Sequence, residues 1–148
     1  MDSLDVSKTL SSLIALSAAY AIAFLIGWDR EQETRGAGLR TFPIVAIASC
    51  GLILLSRNVL GGSEEAHGRM LQGLITGIGF IGAGAILKEE RTVHGTSTAA
   101  SVWNIGVVGA AVGYGLYDIA LMLGLINLVT LRLLLPLKKE LQPKKHDR

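Results

Sequence analysis

The chain has 148 residues, half of them apolar and only 18% charged, with a formal net charge of +2 and a mean hydropathy of +0.47. A charged fraction below the ~25% typical of soluble domains cannot coat a water-soluble fold of this size, and the long uncharged runs indicate a single-domain integral membrane protein. The small net charge, with no Lys/Arg stripe interleaved with aromatics, excludes nucleic acid as a partner, and the single Cys50 cannot form an internal disulfide.

The N-terminus begins Met1-Asp2-Ser3-Leu4-Asp5, acidic where a secretory leader would be basic. The apolar run from Thr9 to Trp28 is longer than a leader's h-region, so it reads as a retained first span. A charged stretch, Asp29-Arg30-Glu31 to Arg40-Thr41, then leads into a second apolar run, Leu39 to Leu55. That run is short for a bilayer. Pro43 sits in its first turn, where a missing N–H does no harm. A polar link with Gly61-Gly62 and Glu64-Glu65 follows.

The third span, Met70 to Leu87, is rich in glycine: Gly73, Gly77, Gly79, Gly82 and Gly84. Glycine lets membrane helices approach closely, so this helix is expected to be central and surrounded. Gln72 and Thr76, at i and i+4, make a polar patch that needs partners in hydrocarbon. The link Lys88 to Arg91 leads to a fourth span, Ser97 to Val112, with Gly109 and Gly113 as a second close-packing pair. Ser97, Ser101 and Asn104 form one helical stripe, with Thr98 beside it. A break at Gly113 to Asp118 separates a fifth span, Asp118 to Leu135, which carries Asn127, Thr130 and a snorkelling Arg132. The expected fold is therefore an all-α polytopic transmembrane bundle of about five spans over residues 1–137, with a polar cytoplasmic tail, 138–148.

Five spans place eleven of the fourteen Lys and Arg residues on one side. The positive-inside rule makes that side, with the C-terminus and the Asp29–Arg40 loop, cytoplasmic. A four-span arrangement with a re-entrant second segment splits the charges less cleanly.

Charge beside hydrocarbon is costly unless paired, which makes Asp29, Arg30, Glu31, Arg40 and Thr41 a candidate functional cluster. A plain interfacial loop is the simpler alternative. Ion pairing within the cluster, with Asp29 opposite Arg40, is favoured over magnesium binding, because arginines stand so close to the carboxylates. Gly77-Ile78-Gly79-Phe80-Ile81-Gly82 fits a dinucleotide fingerprint literally, but it lacks the preceding strand and the acidic residue about 20 positions on. The three histidines lack zinc spacing. No nucleophile–base pair is visible, so no enzyme, cofactor or metal site is expected.

Four segments in order carry a resemblance: Gly27-Trp28-Asp29-Arg30-Glu31, Ala37-Gly38-Leu39-Arg40-Thr41, Gly77 to Gly84, and Gly95-Thr96-Ser97-Thr98-Ala99-Ala100-Ser101-Val102-Trp103. They resemble the MgtC/SapB family of bacterial inner-membrane proteins, with its G-x-D/E-R-E, A-G-L-R-T, G-I-G-F-I/L-G-A-G and G-L/T-S/T-T-A-A-x-x-W pattern. The resemblance spans about Thr9 to Leu135. It implies a role in magnesium limitation, stress adaptation and survival inside host cells, exerted on membrane partners such as the F-type ATP synthase. Many members add a cytoplasmic ACT-like domain, which is not expected in a sequence running to Arg148. The reading Trp103-Asn104-Ile105-Gly106 departs from the small apolar residues many members have after the Trp.

Two functions follow. One is a regulator acting through helix contacts with membrane partners, lipid around it and a homo-oligomer among the options. The other is a divalent-cation transporter or channel subunit, with Gln72, Thr76, Ser97, Ser101 and Asn104 beside a charged mouth.

Overall fold

A computed structural model describes residues 5–33, 37–89 and 92–141. It contains five helices: α1 (Val6–Glu33), α2 (Thr41–Val59), α3 (Glu64–Gly84), α4 (Thr96–Tyr114) and α5 (Tyr117–Leu141). A short antiparallel ribbon, β1 (Leu87–Glu89) with β2 (Thr92–His94), joins α3 to α4 and pairs Leu87 with His94. The all-α bundle is as the sequence indicates. The ribbon was not anticipated, because a charged link of this length carries no alternating apolar pattern.

By length and composition, α1, α2 and α5 can cross a membrane, over Val6–Gln32, Thr41–Val59 and Tyr117–Leu134. The second segment thus extends past the expected Leu55, and its 19 residues reach about 28 Å at the helical rise. That is close to the hydrocarbon thickness, so a re-entrant second segment is not needed. Helix α3 begins with Glu64, Glu65, His67 and Arg69, which lowers its hydropathy. Its start is capped by Ser63, whose hydroxyl accepts the Ala66 N–H. Helix α5 runs through Lys138, where the tail was expected to begin, to Leu141; residues 142–148 of that tail lie outside the described residues.

The centre of the bundle is α4, which packs against each of the other four helices. Val102, Ile105, Val108 and Val112 on α4 meet Phe42, Val45, Ala46 and Cys50 on α2, and Ala15, Ala19, Ala23 and Ile26 on α1, in one buried cluster. The alanines of α1 recur every fourth residue, so they line one face and let α4 come close. At Gly109 a Cβ would collide with the Ala46 carbonyl of α2. At Gly113 it would fall 2.6 Å from Ile53 Cβ and 2.9 Å from the Cys50 oxygen. At the far end of α2, Arg57 Nη1 donates to the Gly113 carbonyl at 3.1 Å, occupying an acceptor at the end of α4 that the helix itself leaves open.

The expected central place of the third helix is therefore corrected. A Cβ at Gly73, Gly77, Gly79 or Gly84 meets nothing within 4 Å, and only Ile78 and Gly82 on α3 are buried. Helix α3 lies on the rim of the chain, touching α4 where Gly82 faces the Ala99 carbonyl, 3.2 Å from its would-be Cβ. Glycine content marks where a helix can be approached, not whether the same chain does the approaching.

Replacing Gly109 with Val should destabilise the protein by at least ~2 kcal/mol, the scale of overpacking at a rigid contact. Gly77→Ala should be neutral or stabilising by up to ~1 kcal/mol, since the methyl has room and glycine weakens helices. Thermal melting in detergent reads both. Equal losses at the two positions would contradict the placement of α3.

Candidate functional site

The charged stretch becomes a cross-braced end of the bundle. The last turns of α1 carry Asp29 and Arg30, and their side chains are only 11% and 4% exposed. Asp29 Oδ1 accepts a hydrogen bond from Arg132 Nε on α5 at 2.7 Å. Its other oxygen, Oδ2, lies 4.0 Å from Arg30 Nη2, an ion pair without a hydrogen bond. One carboxylate thus stands between two guanidinium groups, one buried and one, Arg132, reaching in from the surface at 64% exposure.

The expected partner of Asp29 was Arg40. The structure gives Arg132 instead, and this corrects the cluster. Arg40 is exposed, at the cap position of α2, and makes no side-chain hydrogen bond or ion pair with a described residue. The two ends of a short loop return to one depth, but the Asp29 carboxylate points across to α5. A lone arginine in the last apolar span was the sequence signal for this, because a charge at that depth needs a partner.

Glu31 has a different task. Its Oε2 accepts the backbone N–H of Leu39 at 3.0 Å, just ahead of α2. A carboxylate there meets an N–H near the start of the helix and the positive end of its dipole. Phe42 N–H donates to the Gly38 carbonyl at 3.1 Å, so the turn 37–40 is wound tightly onto α2. Glycine permits close approach at two points of this turn. A Cβ on Gly38 would collide with the Glu31 carboxylate, and one on Gly27 would lie 3.0 Å from the Gly38 carbonyl and 3.2 Å from Phe42 Cβ. The G-x-D-R-E and A-G-L-R-T segments therefore fit as one unit, α1 end against α2 start. Thr41 is half-buried at the first position of α2. Residues 34–36 of the loop, Arg35 included, lie outside the described residues.

Trp28, 52% exposed, ends a ladder with Phe24 and Tyr20, each ring 5.9 Å from the next. Aromatics of this kind favour the membrane–water interface. Among the described residues no three His, Cys, Asp or Glu side chains come together. Asp29 and Glu31 are committed to different partners, so they do not form a shared oxygen cradle.

The polar residues singled out inside the membrane do not converge. Gln72 and Thr76 are exposed on α3, and the Thr76 hydroxyl bonds to the Gln72 carbonyl of its own helix at 2.8 Å. Ser97 is exposed, Thr98 is buried, and Ser101 and Asn104 face α5. There Ser101 Oγ donates to Asn127 Oδ1 at 3.0 Å, and Asn104 Nδ2 to the Leu123 carbonyl at 3.4 Å. Asn127 completes a polar seam between α4 and α5, and the sequence marked it only by its side of the fifth helix. Gly124, where a Cβ would sit 2.7 Å from Ile22 Cγ2, brings α5 against α1 and passed unnoticed in a leucine-rich run.

A charge-swap cycle separates the two possible partners of Asp29. Asp29→Arg with Arg132→Asp should recover stability relative to the single changes, with a coupling of about 0.5–3 kcal/mol. Asp29→Arg with Arg40→Asp should show additive loss. Melting temperatures in detergent decide, and rescue by Arg40→Asp instead would reverse the assignment.

The family model described as MgtC family matches residues 16–140. The chain is 36% identical over 127 residues to Protein MgtC of Brucella abortus, covering 86% of this chain and 52% of that protein. It is 37% identical over 116 residues to Protein MgtC of Salmonella typhimurium, 78% of this chain and 49% of that one. An uncharacterized protein of Synechocystis is 36% identical over 126 residues, 85% and 53% of the two chains. The chain thus spans about half the length of the relatives it matches. No solved structure matches it. The match over residues 16–140 takes in the cross-braced end, the polar seam and all five helices in whole or part, and on it the chain belongs to the MgtC family.

Proposed function

We propose that this chain is an inner-membrane regulator of the MgtC kind, serving adaptation to magnesium limitation or stress through contacts with membrane partners. The observation that carries this reading is the split character of the bundle. Its charges are tied to one another at one end, while α3 keeps a glycine-lined flank that no described residue covers. A groove of about 510 Å³ between α2 and α3, lined by Val45, Ser49, Gly73, Leu74, Gly77 and Ile78, opens on that flank. Open glycines suit helix-to-helix contact in lipid, where association rests on close packing. The F-type ATP synthase is the partner that the family resemblance implies.

A transporter or channel for a divalent cation is the alternative reading. It draws on the polar residues of α3 and α4, which lie on separate faces. No catalytic role is proposed.

A photo-crosslinking residue in place of Phe80, 84% exposed on α3, tests the partner reading in the native membrane. The expected product is an adduct with a subunit of a larger membrane complex, with the ATP synthase as the first candidate. Purified protein in liposomes should pass Mg²⁺ no faster than empty vesicles. Flux well above that level, without an adduct, would favour the transporter.

The orientation belongs to the same proposal. The Asp29–Arg132 end and the C-terminus face the cytoplasm, on the strength of the eleven basic residues assigned to that side. A reporter fused after Arg148 should behave as cytoplasmic, and periplasmic activity there would overturn the orientation.

A further inference from the structure

The seam between α4 and α5 holds two buried polar atoms whose bonding capacity the chain leaves unused. Asn127 Nδ2 and Asn104 Oδ1 are shielded from solvent and have no hydrogen-bond partner among the described residues. Asn127 is 8% exposed and its neighbour Ser101 is 3% exposed. One orphan atom is a donor and the other an acceptor. In a hydrocarbon setting neither can be left unsatisfied without a penalty larger than in water.

The two atoms belong to one locality. Asn104 Nδ2 bonds to the Leu123 carbonyl, which in an α-helix also accepts the backbone N–H of residue 127. Ser101, less than one turn before Asn104 on α4, bonds to the Asn127 side chain itself. Two side-chain bridges between the same pair of helices therefore bracket the orphan donor and the orphan acceptor.

We propose that this seam binds one internal water, which accepts from Asn127 Nδ2 and donates to Asn104 Oδ1. A buried water commonly makes about three hydrogen bonds, and the second lone pair of Ser101 Oγ is available for its other proton. The site is insensitive to how the Asn127 amide is turned. If its nitrogen and oxygen exchange, Ser101 becomes the acceptor of that bridge and two orphan acceptors remain, which suit the two protons of one water. The Asn104 amide cannot be exchanged, because its oxygen would then face the Leu123 carbonyl. A dehydrated cation fits poorly, since neither Ser101, Asn104 nor Asn127 carries a compensating charge.

The proposal is tested by NMR on the whole chain in nanodiscs, with side-chain amides labelled. The Asn127 amide protons should show a cross-peak to a long-lived water. Asn104→Leu, which removes the acceptor, should abolish that cross-peak while the helical spectrum is retained. An Asn127 amide that shows no water contact in the unaltered protein would overturn the proposal, as would a cross-peak to Asn104 alone, the mark of direct amide contact. Movement of the Asn127 resonances when Na⁺ or K⁺ replaces choline would also overturn it, in favour of a cation.

Discussion

Helix α4 can occupy the middle of the bundle only because its backbone comes into contact with that of α2. Gly109 and Gly113 remove the side chains that would otherwise strike Ala46, Cys50 and Ile53. In water a central helix is held by the hydrophobic effect, but lipid is as apolar as leucine and offers no such drive. What remains is dispersion between closely apposed surfaces and the hydrogen bonds that closeness permits. The alanine stripe of α1 and the Gly124 contact of α5 are further instances of the same rule. Most of the large apolar side chains of α1 and α5 are left for the outside.

The charged end obeys a different constraint. A carboxylate nearly removed from solvent needs a compensating cation, and Asp29 has two arginines near it. They are not equivalent. Arg30 is buried like the acid and lies 4.0 Å from its second oxygen, so it acts on Asp29 by charge without a hydrogen bond. Arg132 reaches in from the outer face of α5 and makes the hydrogen bond, at 2.7 Å. The first fixes the acid to its own helix, and the second connects α1 to α5 across the bundle. Glu31 makes the corresponding connection from α1 to α2 through a backbone N–H.

Much of this was legible in the sequence. Uncharged runs of membrane length gave the helices, and the break near Gly115 is there because that residue takes a left-handed backbone, φ +82°, that ends α4. The Asp29–Arg40 stretch was marked as special by charge next to hydrocarbon. What could not be read was direction. Asp29 and Arg132 are far apart in the chain, and no local spacing says which arginine an acid will face. The glycines of α3 and α4 look alike in sequence, yet those of α4 are enclosed and most of α3's are open. Composition reports that a surface can be approached closely, and only the tertiary arrangement says by what. The helix that touches all four others, α4, also carries Ser101 and Asn104 on the side that meets α5.

That last feature bears on how the protein is made. A chain leaves the ribosome from its N-terminus, so α4 is synthesised before α5. The bridges from Ser101 and Asn104 go to Asn127 and to the Leu123 carbonyl, both on the helix that comes later. Until α5 arrives, Ser101 and Asn104 of the core helix lack their α5 partners. Of the five helices, the latest to be made is thus the one that completes this seam.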